Sequence, residues 1–268
     1  MKHSATIHAD PGASHRGAGD MLSKRSNRSD RGFSLIELLV VVAIIGLLSA
    51  VTLPSLKGLN KSNALSTTNR QLVDDLNLAR TMAINNRSPV YMVFLTPVVS
   101  DVGLLQGLPD TELERLVELI PGQYTAYALY TIRSAGDQPG ETNPKFLTDW
   151  TFLPDGVFFQ TNKFNPDPQF LNVGDPVFRS FPTRLVEFFT TGREMPLPVL
   201  GFNAQGQLIS GRDEVLTFRE GSIFVPRDAN GNPQVGPVDI VDKSGGDNHH
   251  VYINWLTGRA KAVVPELD

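Results

Sequence analysis

Glu37 is the one formal charge in the 21 residues from Phe33 to Leu53. A carboxylate inside an apolar helix costs about 2.5–3.5 kcal/mol on insertion scales, so it is expected to have a function and a partner. The best-suited partner is an amine, and cutting the chain between Gly32 and Phe33 would create one. A free α-amino group titrates near about 7.7–8.0, so it would be largely protonated and could neutralise Glu37 of a neighbouring subunit. Proteolytic cleavage at a glycine–aromatic junction, then charge pairing between stacked helices, is the chemistry these residues could do. An ordinary signal peptide cut near Ser49-Ala50, or a plain membrane anchor, would each leave Glu37 unexplained.

Other constellations are weaker. Asp228 and Asn230 in one loop, and Asp242 and Asp247 in another, offer oxygen ligands. Calcium takes about 6–8 such oxygens, and neither loop has the spacing or closing Glu of an EF-hand, so solvated turns are the preferred reading and no metal is assigned. His249-His250 opens a strand and would point to opposite faces, which suits edge residues better than joint chelation. Asp74-Asp75 and Asp213-Glu214 read as exposed charges rather than acid/base partners. No nucleophile elbow, phosphate loop, dinucleotide fingerprint or zinc-protease helix occurs, so no catalytic residue and no cofactor is assigned. The absence of cysteine excludes a disulfide framework and a thiolate metal site.

The elements that must position Glu37 follow from the same run. Twenty-one residues of α-helix span roughly 30 Å, the hydrocarbon thickness of a bilayer. Lys24, Arg25, Arg28 and Arg31 precede it and should hold that side in the cytoplasm, with the remainder exported. The first 32 residues carry six Lys/Arg against three Asp/Glu, so the rest is more acidic than the whole chain's net charge of −4. That acidic balance argues against a nucleic-acid partner, and Arg212, Arg219, Arg227 and Arg259 are scattered among acids. Three segments are therefore expected: a leader over 1–32, a transmembrane and assembly helix over 33–53, and an extracytoplasmic head over 54–268. Met21 would give a 12-residue leader, so residues 1–20 are read as a mis-assigned start or an extension without chemistry.

The stretch Gly32-Phe33-Ser34-Leu35-Ile36-Glu37 resembles the class III signal of type IV prepilins and type II secretion pseudopilins. The resemblance implies that a prepilin peptidase cuts after Gly32, that Phe33 becomes the N-methylated N-terminus, and that Glu37 serves assembly. Pro54 falls where that family commonly has a helix-bending proline. The partners implied are other pilins or pseudopilins and an inner-membrane assembly platform, with the protein in the bacterial inner membrane before assembly.

Beyond Pro54 the helix is expected to reach about Asn86, with Leu65, Leu72, Leu76, Ala79 and Ala83 at helical spacing and Arg70, Asp74, Asn77 and Arg80 facing outward. Pro54 itself predicts a bend at the membrane surface. A strand is predicted over 90–95, then an insertion over 97–122 with a short helix opened by a Thr111/Glu114 capping box. Further strands are predicted over 123–133, 147–153, 184–189, 198–202, 214–219, 251–256 and 259–263, with 136–146 and 160–182 as loops or edges. The result is an α+β, pilin-like fold: a long helix packed on one face of an antiparallel β-sheet. Gly201-Phe202-Asn203-x-x-Gly206, Thr257-Gly258-Arg259 and Leu78-Ala79-Arg80 resemble heads of H-type pseudopilins and FimT-like minor pilins. Tyr124–Tyr130 and Leu153-Pro154-Asp155-Gly156 add a resemblance to Verru_Chthon cassette protein D. The expected function is a minor pilin or pseudopilin subunit of a type IV pilus or type II secretion pseudopilus. The alternatives are a membrane-anchored binding domain that never polymerises, or a DNA-binding minor pilin for uptake.

Overall fold

The computed structural model describes residues 33–263 except 101, 134, 135, 139, 166, 189–191, 232, 235 and 237; the side chains of 50–62, 100, 102 and 104 also lie outside it. Gly32 and the 1–32 leader, with Met21, lie outside the described residues. The chain divides into two compact units, Met1–Val51 and Thr52–Asp268.

Helix α1 covers Leu35–Asn86, and its assignment runs through Pro54. Its C-terminus is closed by a Schellman arrangement: Ser88 N–H donates to Ala83 O (3.2 Å) and Arg87 N–H to Ile84 O (3.3 Å). Arg87 sits at φ 48°, the left-handed position that glycine usually fills, and Pro89 follows, which cannot continue the helix. The predicted end at Asn86 is the observed one. Leu72, Leu76, Ala79 and Ala83 are fully buried and Leu65 nearly so, as their spacing requires.

Among the described residues two antiparallel sheets make the head, where one was expected. The first holds β1 (Val90–Phe94), β2 (Ala126–Thr131), β3 (Lys145–Phe146), β4 (Thr151–Phe152), β6 (Thr183–Glu187) and β7 (Glu194–Phe202). Its order is β3-β2-β1-β7-β6, with β4 also on β2. The second holds β5 (Val157–Phe159), β8 (Glu214–Phe224), β9 (Asp239–Asp242), β10 (His249–Ile253) and β11 (Ala260–Val263), ordered β11-β10-β8-β5 with β9 also on β8. The first core joins the Leu72–Ala83 stripe of α1 to side chains of both sheets, among them Met92, Phe94, Phe202, Phe218 and Ile253.

Every residue of β1 and β2 is buried, so the first sheet is covered on both faces. Successive side chains alternate: Val90, Met92 and Phe94 enter the first core, while Tyr91, Val93 and Leu95 enter a second. The 97–122 insertion fills that second face. Leu105 ends α2 (Val102–Leu105) and Leu116 lies in α3 (Asp110–Leu119), and both join the second core with Val99 and Leu108. The sheet curls around them far enough for the Tyr130 hydroxyl on β2 to accept the Glu187 N–H of β6 at 3.2 Å.

Several expectations are corrected. Helix α3 begins at Asp110 behind Pro109, whose φ of −59° sets the first turn, and it has no side-chain cap; Thr111 already lies inside the helix. Of the strand predicted over 147–153 only Thr151–Phe152 forms, as β4; before it the Thr148 hydroxyl, not a backbone carbonyl, receives the Leu129 N–H (3.0 Å) and the ladder breaks there. The 160–182 segment is irregular, with a short 3-10 turn and α4 (Pro168–Leu171), yet it buries Lys163, Phe164, Arg179 and Phe181. His249 and His250 lie on an inner strand between β11 and β8, not at an edge.

Candidate assembly site at the N-terminal helix

Phe33 precedes the helix and is 78% exposed. Ser34 is the cap that lets the helix start: its carbonyl accepts the Glu37 and Leu38 N–H groups (3.0 and 3.1 Å), and its hydroxyl also accepts from Glu37 N–H at 3.2 Å. The sequence signal for this cap is the Ser34-x-x-Glu37 spacing. Glu37 thus sits one residue-triplet inside the cap, in the first turn and exposed, where a negative charge is favoured by the helix dipole.

From Leu35 to Leu48 the helix exposes leucine, isoleucine and valine on every side, with Leu35, Leu47 and Ile36 each more than 65% open. A helix apolar all round is one that becomes buried against something else. Among the described residues no helix is long and apolar enough to cross a membrane. The apolar run read in the sequence continues past Ser49 into residues whose side chains are outside the description, and Pro54 is among them.

Residues 27–53 match the family model described as the prokaryotic N-terminal methylation motif. The N-terminal segment therefore carries the prepilin class III signal, which implies processing by a prepilin peptidase, membrane anchoring and assembly with other pilins. The match ends at residue 53 and does not extend into the head. No curated protein and no solved structure matches the chain.

In the head, the loop ligands read from the sequence are engaged locally. Asp228 Oδ1 accepts the Asn230 N–H (2.9 Å), an Asx turn. Asp242 accepts from the Ser244 hydroxyl and amide (2.6 and 2.8 Å) and from Arg219 at 2.9 Å, and the Ser244 bonds in particular hold its carboxyl below the usual range. The N–H of Asp247 donates to Ser244 O, closing the turn. Among the described residues no group of three or more His, Cys, Asp or Glu is placed to hold a metal ion.

The Asp213-Glu214 pair is corrected as well. Glu214 is 1% exposed, with Oε1 lying 3.6 Å from Arg179 and 3.7 Å from Arg212. Burial pushes its pKa up, and Lys163, Arg179 and Arg212 partly offset that. Lys163 is fully buried, donates to the carbonyls of Pro176 and Arg179, and lies 4.7 Å from the Phe181 ring centre. Burial pushes its pKa down to about 8. These groups come from β8 and from a segment with no periodic signal, so the sequence could not show that they meet. Their roles are structural: Lys163 closes the 160–182 segment on itself through the Pro176 and Arg179 carbonyls, and Arg179 joins that segment to the start of β8 through Asp213 O.

The motifs singled out in the head also turn out to build a corner. Arg80 Nε of α1 donates to Thr257 O at 2.6 Å, and Gly206 lies against Ile84. Gly258 sits at φ 62° with Gly206 O directly behind it; a Cβ there would lie 1.9 Å from that oxygen.

Proposed function

We propose that this chain is a minor pilin or pseudopilin subunit that enters a helical fibre through its N-terminal helix. The carrying observation is the methylation motif over 27–53 set on a helix whose apolar side chains are exposed all round. Cleavage between Gly32 and Phe33 frees the amine, and the peptidase then methylates it on Phe33. The 33–53 segment spans the inner membrane before assembly, with the head outside the cytoplasm. An inner-membrane platform drives its transfer from lipid to like helices. Glu37 of one subunit pairs with the Phe33 amine of its neighbour and sets the stagger, and Pro54 adjusts the helix where it leaves the membrane. The reading gives this chain no catalytic step, no cofactor and no nucleic-acid partner.

The test is the mature N-terminus. In cells with a prepilin peptidase, mass spectrometry is expected to show a chain starting at N-methylated Phe33. A start at Val51, or an intact leader, would overturn the assignment in favour of a signal peptide or a plain anchor.

A further inference from the structure

The mouth of the curled first sheet holds a pocket of about 390 Å³ that the assembly reading does not use. Its size falls in the range of small-ligand sites. Three rings form one wall: Phe146 at the end of β3, Trp150 just before β4, and Phe188 just after β6. Their centres lie 5.5, 5.8 and 6.3 Å apart, and their planes meet at 46–88°. They therefore make a corner and not the flat platform on which a sugar ring stacks. The lining also includes Glu112 and Glu118 of α3 and Asp149 beside Trp150, with Arg115 as the single cation in it. Glu112 is 4% exposed, while Asp149 and Glu118 are open to solvent.

An aromatic corner inside a net-negative rim has one preferred guest. Ring faces carry negative electrostatic potential and attract a cation lying within about 6 Å, and nearby carboxylates add to the same field. We propose that this pocket binds an organic ammonium group, its carbon substituents against the three rings and its charge toward Glu118 and Asp149. The head provides this site independently of processing or fibre assembly. The guest is either a small alkylammonium molecule or a lysine side chain of another protein, and the recognition chemistry is shared.

The test uses the full chain in non-ionic detergent. The chain has two tryptophans, so Trp255→Phe leaves Trp150 as the sole reporter. Choline and N-acetyl-lysine methylamide are titrated by Trp150 fluorescence, alongside 3,3-dimethylbutanol, the uncharged isostere of choline, and glucose. Calorimetry on the unmodified chain reads the same binding without any substitution. Saturable binding of either ammonium probe is expected, with the neutral isostere at least about fivefold weaker. The surface variant Asp149→Asn/Glu118→Gln should lose a similar factor for the charged probes and none for the isostere. Tighter choline binding assigns the site to quaternary heads, and tighter lysine amide binding assigns it to a protein side chain. Equal binding of the isostere, preference for glucose, or no saturation of either ammonium probe into the ~10 mM range would overturn the proposal.

Discussion

Glu37 and Lys163 are both charges in apolar surroundings, and they are handled in opposite ways. Lys163 is matched within its own subunit by two carbonyls and a ring. Glu37 is exposed in the described chain, and under the proposed function its partner belongs to the neighbouring subunit. Glu37→Val removes an insertion penalty of about 2.5–3.5 kcal/mol, so membrane insertion should be unchanged or better. The neighbour's amine is then left without a carboxylate at its depth, and incorporation into fibres should fall sharply. Crosslinking to co-expressed pilins measures this, and wild-type assembly of the valine variant would remove Glu37 as the register element. For Lys163 the prediction concerns pH. Its pKa is about 8 in the folded chain against 10.5 ordinarily, so between those values the unfolded chain holds the extra proton and stability rises with pH. Relative to Lys163→Met, the wild type should gain of order 3 kcal/mol from pH 8 to 10.5, read from urea midpoints, and a flat difference would contradict the buried ammonium.

At the level of elements, the fit of α1 to the two sheets rests on backbone approaches as much as on apolar burial. The corner of Gly206, Thr257 and Gly258 brings a chain reversal against Arg80 and Ile84 on the helix. Gly258→Ala meets both a positive φ and a backbone oxygen, so it should cost about 2 kcal/mol or more. Gly211→Ala is the control, because it shares a positive φ (66°) but has open space around the added carbon, and about 1 kcal/mol is expected. Thermal melts that gave equal losses would show that the close approach to Gly206 carries no weight.

For the whole molecule, the described side chains of both cores lie at residue 64 or beyond, none of them in the unit that ends at Val51. A chain from Lys57 to Asp268 is therefore expected to fold as a soluble α+β domain, shown by circular dichroism and resistance to proteolysis. A molten, protease-labile fragment would mean that the head depends on the missing helix. The described side chains from Leu35 to Leu48 are exposed, and under the proposed function neighbouring subunits are what bury them.

Local signals in the sequence were enough to determine the class III segment, the apolar run, the end of α1 and the buried stripe from Leu65 to Ala83. Each depends on residues within a few turns of one another, where spacing along the chain is spacing in space. The strands β1 and β2 and the 198–202 part of β7 were legible for the same reason. Tertiary structure alone decided that there are two sheets and that the 97–122 insertion covers the far face of the first. It also decided that Glu214 is buried beside Arg179, and that Phe146, Trp150 and Phe188 meet across the sheet's two ends. Most of those contacts join residues far apart in the chain, and Phe188 reaches Phe146 and Trp150 only because the first sheet curls; no local pattern in the chain encodes that curvature.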